Sequence, residues 1–568
     1  MHLSILDNFP SGLTPRPIQI EILNEIDKKI KSGAKKIIVS APTGVGKSPM
    51  AINLAQHFEN SFVVTASKSL QDQYSHDFSL LKPVKGKSNF ACLKIMEKKR
   101  IKLDDISKAM QLHYTCEKGE CIEKKNGKNT NCKFKPTIQE YESNSFDGTI
   151  CPYYSQKYDA LISPHSLWNY HAYFQIMKYN QKNYGGYLNR RISIFDEAHK
   201  IEDQIIQFVG INIYKRIIDE CGLDITTYDL SDIDLVITLL DDIASHYAKE
   251  IAELKGSRLF ERFPDYDRLQ YLEGNYDRAT KARIEILSDK ENFIINEPKM
   301  DGDLFLSLDV KPLDISKYVK DFFQTPIQIF MSATIDKNSF CETMGIPPDE
   351  IEIIDTPNSP FPVENRKINF LNVCKLKFGA PNQDELKVIK KIDELLSSHN
   401  DERGLVLTSS LYRCNEIYNN LSAENKNRIR ICHAQNPGGK TQDDILKEHA
   451  QSKNGVLLSS SLWEGVDLKD DLSRFQIIAK VPYPNYKEKR IAAKKAKYPL
   501  WYTSQTVTKL LQGFGRSIRS NQDWAVTYVL DSAVEYLLYS ARNLVPKAYH
   551  DVLGWNDSKT KFRSFLEN

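Results

Sequence analysis

The sequence predicts an α/β protein built on two parallel-sheet units, and three observations predict it. Short apolar strands give way to polar loops and then to helices in series, first from Ile37 to Thr334 and again from Gly404 to Arg519. A glycine-rich loop of the phosphate-cradling kind sits in the first series, and the second has none. Two stretches interrupt the pattern, one rich in cysteine and one helical, and they read as insertions.

Ahead of the loop, Thr14-Pro15-Arg16-Pro17 opens a helix on which Arg16 and Gln19, three apart, share a face and can read an adenine edge. Ile37-Ile38-Val39-Ser40 is a strand. Ala41-Pro42-Thr43-Gly44-Val45-Gly46-Lys47-Ser48 then turns through two glycines into a helix at Met50. The glycines let backbone N–H groups crowd a polyphosphate at the positive end of that helix. Lys47 reaches the β- and γ-phosphates and Ser48 ligates Mg²⁺, while Ala41 stands where the strict pattern has glycine.

Phe62-Val63-Val64-Thr65 is a second strand, and Thr65 and Ser67 beyond it are placed to cap a helix or to hydrogen-bond a nucleic-acid backbone. Ile192 to Phe195 delivers Asp196-Glu197-Ala198-His199 at its C-terminal end. There Asp196 can hold the nucleotide's Mg²⁺, Glu197 can orient or deprotonate water, and His199 can relay to other motifs. Ile327 to Met331 ends in Ser332-Ala333-Thr334.

The second series carries Trp463-Glu464-Gly465-Val466-Asp467 after one strand and ends in Gln512-Gly513-Phe514-Gly515-Arg516-Ser517-Ile518-Arg519. Arg516 and Arg519, three apart on a helix, can grip a γ-phosphate across a cleft. Lacking a phosphate loop, this half completes the first half's site.

Five of the ten cysteines fall between Cys92 and Cys151, with Cys116, Cys121 and Cys132 between them. Thiolates with little histidine nearby suit a Cys₄ zinc site or an iron–sulfur cluster, and one tight pair flanked by wide singles favours the cluster. From Ile201 to Lys299 the apolar residues recur at helical spacing with no catalytic constellation.

The 568 residues exceed one core, and a net charge of +3 confines any nucleic-acid surface to local patches. Apolar runs fall short of a membrane span, and Met1 to Asp7 lacks the features of a secretory leader. Cysteines without a leader indicate a reduced, intracellular, cytoplasmic protein, nucleoid-associated in a prokaryote.

Taken together, Thr43 to Ser48, Asp196 to His199, Ser332 to Thr334, Glu464 to Asp467 and Gln512 to Arg519 occur in the order of superfamily 2 helicases. With the two insertions, the chain resembles the XPD/DinG family of iron–sulfur DNA helicases, whose phosphate loop tolerates alanine at the position of Ala41. The resemblance implies two RecA-like parallel-sheet motor domains with an iron–sulfur cluster insert and a helical arch insert. The expected boundaries are motor domain 1 over 1–85, 158–200 and 306–335, the cluster domain over 86–157, the arch over 201–305 and motor domain 2 over 336–568.

The resemblance also implies ATP with Mg²⁺ between the motors, a 4Fe-4S cluster, and 5′-to-3′ translocation on single-stranded DNA. Single-stranded and forked DNA are the expected partners, with RNA–DNA hybrids a further one. By matching position, Lys47, Asp196, Glu197, His199, Gln512, Arg516 and Arg519 are catalytic. Arg16, Gln19, Thr43, Gly44, Val45, Gly46, Lys47, Ser48 and Asp467 bind the nucleotide, and Ser48 and Asp196 hold magnesium. Thr65, Ser67 and Trp463 fall where family members touch the strand or couple it to ATP. Cys92 and Cys151 match the outer cluster ligands and Cys121 with Cys132 the middle pair; Cys116 is a fifth candidate able to replace either. Two alternatives stand beside a helicase: a translocase stripping RNA or protein from DNA, and a zinc-bound adaptor with an inactive motor.

Overall fold

The computed structural model describes residues 4–554 apart from 43, 120, 126–127, 259, 261–264, 357–358, 377–381, 434–439, 465, 467, 519 and 521. The first sheet contains β1 (Lys36–Ser40), β2 (Ser61–Thr65), β3 (Lys82–Pro83), β6 (His165–Asn169), β7 (Ile192–Asp196), β12 (Ile327–Ser332) and β13 (Ile351–Asp355). Its seven strands run parallel in the order β13-β1-β12-β7-β2-β6-β3. Strands β2, β7 and β12 are buried along their whole length, as expected of a parallel sheet covered on both faces. The sheet extends beyond its expected limit: β13 pairs with β1 from Lys36↔Ile351 to Ser40↔Asp355, past residue 335.

The second sheet contains β14 (Ile368–Cys374), β15 (Gly404–Leu407), β16 (Ile429–Ile431), β17 (Val456–Ser459), β18 (Phe475–Ile478) and β19 (Val526–Asp531). Its six strands are parallel in the order β14-β19-β18-β15-β17-β16.

The cysteine-bearing segment leaves after β3. It consists of short helices and a hairpin of β4 (Ile122–Lys125) and β5 (Lys128–Asn131). The chain returns through the helix Pro152–Ile162, with Cys151 at its N-cap. The buried Arg190 guanidinium closes the far end of that helix. Nη1 donates to Ser163 O (2.5 Å) and Pro164 O (2.7 Å), and Nη2 to Ala160 O (3.2 Å) and Leu161 O (2.7 Å).

The other interruption, between β7 and β12, holds the long helices Ile233–Gly256 and Tyr266–Ser288. They share a core that includes Leu240, Tyr247, Leu272 and Ile286. The segment is not all helix. An antiparallel sheet joins β8 (Ile211–Tyr214), β9 (Phe293–Ile295), β10 (Lys299–Asp301) and β11 (Leu304–Pro312). Helical spacing dominates the sequence there, and the short period-two stretches of these strands are lost beside it. β11 also carries the segment to Pro312, beyond the expected limit at 305.

Replacing Arg190 with alanine strands four carbonyls. The expected cost is about 2 kcal/mol, read as a fall of roughly 4–8 °C in the thermal unfolding midpoint. Lysine, with a single ammonium, should recover only part of it.

Candidate active site

The phosphate loop follows directly from β1. Ala41 N–H donates to Ser332 O (2.8 Å), so this residue continues the strand ladder. Its backbone does not take the left-handed conformation, so a methyl group fits where the strict pattern asks for glycine. Gly44 (φ +84°) and Gly46 (φ +88°) are left-handed. A Cβ on Gly44 would lie 1.9 Å from the Phe361 ring, and one on Gly46 would lie 2.4 Å from Gln19 Nε2. Gln19 Nε2 donates to Gly46 O (3.1 Å), its Oε1 accepts from Arg16 N–H (2.8 Å), and Arg16 Nη1 donates to Gly44 O (2.6 Å). Arg16 and Gln19 thus sit against the phosphate loop. Lys47 Nζ reaches back to Ala41 O (3.3 Å), while Val45 is buried in the apolar core and offers the site its backbone only.

Asp196 ends β7, and Glu197 follows in a left-handed backbone (φ +51°). Burial, then the neighbouring Glu197 charge, push the Asp196 carboxyl up to about 6 against the pull of Lys47. Burial would raise Glu197 as well, but the charges of Lys47, His199, Lys200 and Arg516 together hold it below its ordinary value.

Tyr74 was not singled out in the sequence. Its hydroxyl donates to Asp196 Oδ2 (2.9 Å) and also hydrogen-bonds Ser48. Burial and the Asp196 charge raise its pKa. One buried phenol therefore joins the two residues expected to hold magnesium. Its signal was faint: a lone aromatic in the polar helix Lys68–Asp77.

The second sheet closes this space through the helix Pro499–Phe514. His199 stands between the halves, with Nδ1 2.9 Å from Ser332 Oγ and Nε2 2.7 Å from Gln512 Nε2. Thr508 Oγ1 donates to Thr334 O (3.2 Å). Glu464 pairs with Lys200 (2.7 Å); burial opposes its ionisation, but the hydrogen bond from His199 and the charges of His199 and Lys200 hold it well below the carboxylate range. Arg516 Nη1 donates to Val466 O (2.9 Å), which aims the side chain along the cavity wall. Gly44, Gly46, Lys47, Ser48, Glu197 and Arg516 are among the residues lining a cavity of about 680 Å³ that both units share, large enough for a nucleotide.

One turn beyond His199, the buried Glu202 takes two hydrogen bonds and one further ion pair from the second unit. Arg490 Nη2 lies 2.8 Å from Oε1, Lys494 Nζ 3.3 Å from Oε1, and Trp501 Nε1 2.6 Å from Oε2. Arg490 Nε also donates to Pro312 O (2.7 Å), and Asn296 Oδ1 accepts from Arg490 N–H (3.1 Å).

Thr43, Asp467 and Arg519 lie outside the described residues. Two of the residues expected to touch the strand or couple it to ATP are buried. Thr65 is buried at the end of β2, with Oγ1 donating to Trp168 O (3.4 Å), and Trp463 is buried under Gly513 with Nε1 donating to Thr408 O (3.1 Å). Neither side chain has surface for a ligand, and Trp463 packs instead beneath the helix that carries Gln512. Ser67 caps the helix Lys68–Asp77 and lines the cavity rim.

Among the cysteines, the residue held in reserve becomes central. Cys116 Sγ lies 3.5 Å from Cys151 Sγ and also hydrogen-bonds Cys92, and those bonds bring Cys92 down to about 7 and Cys151 to about 6. A Cβ on Gly119 would lie 2.4 Å from Cys92 Sγ, so glycine is required there. Cys121 accepts the Cys132 N–H at its carbonyl (3.1 Å), and its sulfur lies 3.7 Å from Lys87 Nζ. Among the described residues, no three His, Cys, Asp or Glu side chains stand as a single-ion site.

Residues 393–548 match the helicase C-terminal domain family, and residues 12–226 match the res subunit of type III restriction enzymes. The chain is 24% identical to the ATP-dependent DNA helicase YoaA of Haemophilus influenzae, over 92% of this chain and 91% of that protein. It is 23% identical to Escherichia coli YoaA over 93% of each. A solved structure titled XPD helicase superposes with a TM-score of 0.61 at 14% identity, covering 96% of this chain and 99% of that one. S. tokodaii Xpd4 gives 0.52 at 15% identity, covering 93% and 98%.

Glu202→Ala leaves two buried cations without their carboxylate and should cost about 3–5 kcal/mol. Glu202→Gln keeps an acceptor for Trp501, so thermal unfolding midpoints should rank wild type above Gln above Ala.

Proposed function

We propose that the chain is an XPD/DinG-like helicase of superfamily 2, an ATP-driven motor moving 5′ to 3′ on single-stranded DNA; its likeness along nearly its whole length to two ATP-dependent DNA helicases supports the reading. The observation that carries this reading is His199, held between Ser332 of one unit and Gln512 of the other at a shared cavity. A bridge of that kind at the nucleotide cavity can couple closure of the two halves to what the cavity holds.

In this reading, Lys47 and the backbone N–H groups of the loop take the β- and γ-phosphates, with Arg16, Gln19 and Thr43 beside the nucleotide. Ser48, half-buried at the cavity, and the buried Asp196 form an oxygen set joined by Tyr74, which fits Mg²⁺; when bound, the ion would neutralise phosphate charge. Glu197, kept ionised by the surrounding cations, orients the attacking water and accepts its proton. Arg516 and Arg519, with Asp467, complete the site from the second unit. Loss of the γ-phosphate removes the anion these arginines share with Lys47, the cleft relaxes, and grip on the strand alternates between units.

We assign motor domain 1 to residues 1–85, 158–200 and 313–355, the arch to 201–312 and motor domain 2 to 356–568. Residues 86–157 form the cluster domain. Its gathered donors are thiols, a soft set that fits a 4Fe-4S cluster held by Cys92, Cys116, Cys151 and one of Cys121 and Cys132. Bound there, the cluster supplies cross-links between segments that have little core of their own. Forked DNA is the proposed substrate.

Lys47→Ala should abolish strand-stimulated ATP hydrolysis, and near-wild-type turnover would remove the site assignment. Duplexes with a 5′ single-stranded tail should unwind and those with a 3′ tail should not. Protein prepared without oxygen should contain iron with sulfide and absorb broadly near ~400 nm. Cys116→Ser should lose that iron; iron kept there but lost in Cys121→Ser and Cys132→Ser would restore the other set.

A further inference from the structure

Asp196 is held by donors from three places in the chain. Its backbone oxygen accepts from the Tyr170 hydroxyl (3.1 Å), Oδ1 from Glu197 N–H (2.9 Å) and Oδ2 from the Tyr74 hydroxyl (2.9 Å). The strand order explains the two phenols. β2 lies beside β7 and leads into the helix Lys68–Asp77, which carries Tyr74; β6 lies next and leads into the helix Tyr170–Tyr179. Both rings are buried, Tyr74 in the core with Val63 and Ile194 and Tyr170 stacked on Phe195. Packing alone would be served by phenylalanine at either position, so it does not account for the hydroxyls.

The two hydroxyls differ in what they hold. Tyr170 holds the backbone at the end of β7, whereas Tyr74 holds the carboxylate itself and also hydrogen-bonds Ser48. Ser48 and Asp196 line the nucleotide cavity, and Tyr74 is buried behind them. A carboxylate offers about four acceptor positions, so one hydroxyl and one N–H leave room on Oδ1 and Oδ2 for a ligand. A phenol keeps its proton at neutral pH, so Tyr74 donates and does not compete for that ligand. Without it, Oδ2 would be a buried, charged oxygen short of a donor, and the carboxylate would turn to find another. Magnesium accepts little departure from octahedral geometry and gains most from oxygens already aimed.

We propose that Tyr74 is a positioning residue for the divalent ion: its hydroxyl fixes Asp196 and Ser48 in the arrangement that receives Mg²⁺, and so sets how much of the ion the motor requires. The proposal rests on the reading of the chain as an ATP-driven motor and adds to it a group that touches neither the ion nor the nucleotide. Ser48 lies in the first turn of the helix Lys47–His57 and Asp196 ends β7, so one hydroxyl spans two elements that chain geometry alone does not hold in register. Donors placed behind a metal ligand in this way typically change ion affinity by about 10–100-fold.

The test compares the full-length chain with Tyr74→Phe and Tyr170→Phe, each of which loses one hydroxyl and keeps its ring. Free Mn²⁺, followed by electron paramagnetic resonance as protein with bound ADP is added, reads the affinity of the ion site directly. Tyr74→Phe should bind Mn²⁺ about tenfold more weakly. The Mg²⁺ concentration giving half-maximal strand-stimulated ATP hydrolysis should rise by a similar factor, with the maximal rate recovered at excess Mg²⁺. Tyr170→Phe should lower the thermal unfolding midpoint and leave both ion measurements at their wild-type values, and the midpoints without ion verify that both variants fold. Affinity for ADP without a divalent ion should be the same in all three proteins. A Tyr74→Phe protein with wild-type Mn²⁺ affinity, or a Tyr170→Phe protein with the same loss, overturns the role of Tyr74 alone. So does a maximal rate that excess Mg²⁺ does not restore, because the hydroxyl would then act on the chemistry. A wild type that holds no Mn²⁺ with ADP and hydrolyses no ATP overturns the motor reading, and this role with it.

Discussion

One buried carboxylate sets the relation between the two sheets. Glu202 belongs to the first unit and sits in a place closed to water, yet its partners Arg490, Lys494 and Trp501 all belong to the second. Ion pairs of this sort contribute little net stability over an apolar packing, because desolvation offsets most of the attraction. What they enforce is geometry, since a carboxylate out of water must meet its donors or pay a large penalty. Trp501 and Gln512 share one helix, and Glu202 follows His199 by one turn. Fixing the first pair therefore fixes the second, and Gln512 arrives within 2.7 Å of His199. Arg490 carries the same constraint to Pro312 and Asn296, at the root of the helical insertion.

Around that fixed frame, charge is graded. Asp196 is pushed toward neutrality by burial and by its neighbour, whereas Glu197 and Glu464 are kept ionised by the cations near them. The adjacent carboxylates thus differ in environment: one waits for a positive partner in a buried place, the other already has several. Different roles for two neighbouring acids follow from that difference and not from residue type.

Much of this was legible from the residues. The β-branched runs before each polar loop mark the buried strands, and the loop from Ala41 to Ser48 states its chemistry outright. Ala41 itself reads as a departure until its N–H is seen in the strand ladder, where no glycine is needed. Thr65 ends β2 and Trp463 lies in the loop after β17, where sequence alone does not separate a side chain turned to solvent from one turned beneath a helix. Tyr74 and Glu202 act through contacts made across long chain separations, and no local pattern announces them. The approach of Cys116 to Cys92 and Cys151 has no counterpart in spacing, which says little about where a loop folds back.

The first sheet's order has a consequence for how the chain is made. Lys36 lies beside Gln328 on one side and Ile351 on the other, so β1, synthesised early, has no permanent neighbours until β12 and β13 emerge from the ribosome. Until then its backbone edges are open, in a segment of the apolar, β-branched kind that readily pairs with other chains. Such distant pairings make assembly slow, because closure entropy is spent before the contacts form. The nucleotide loop, first in the sequence, is thereby among the last parts of the molecule to acquire its final shape.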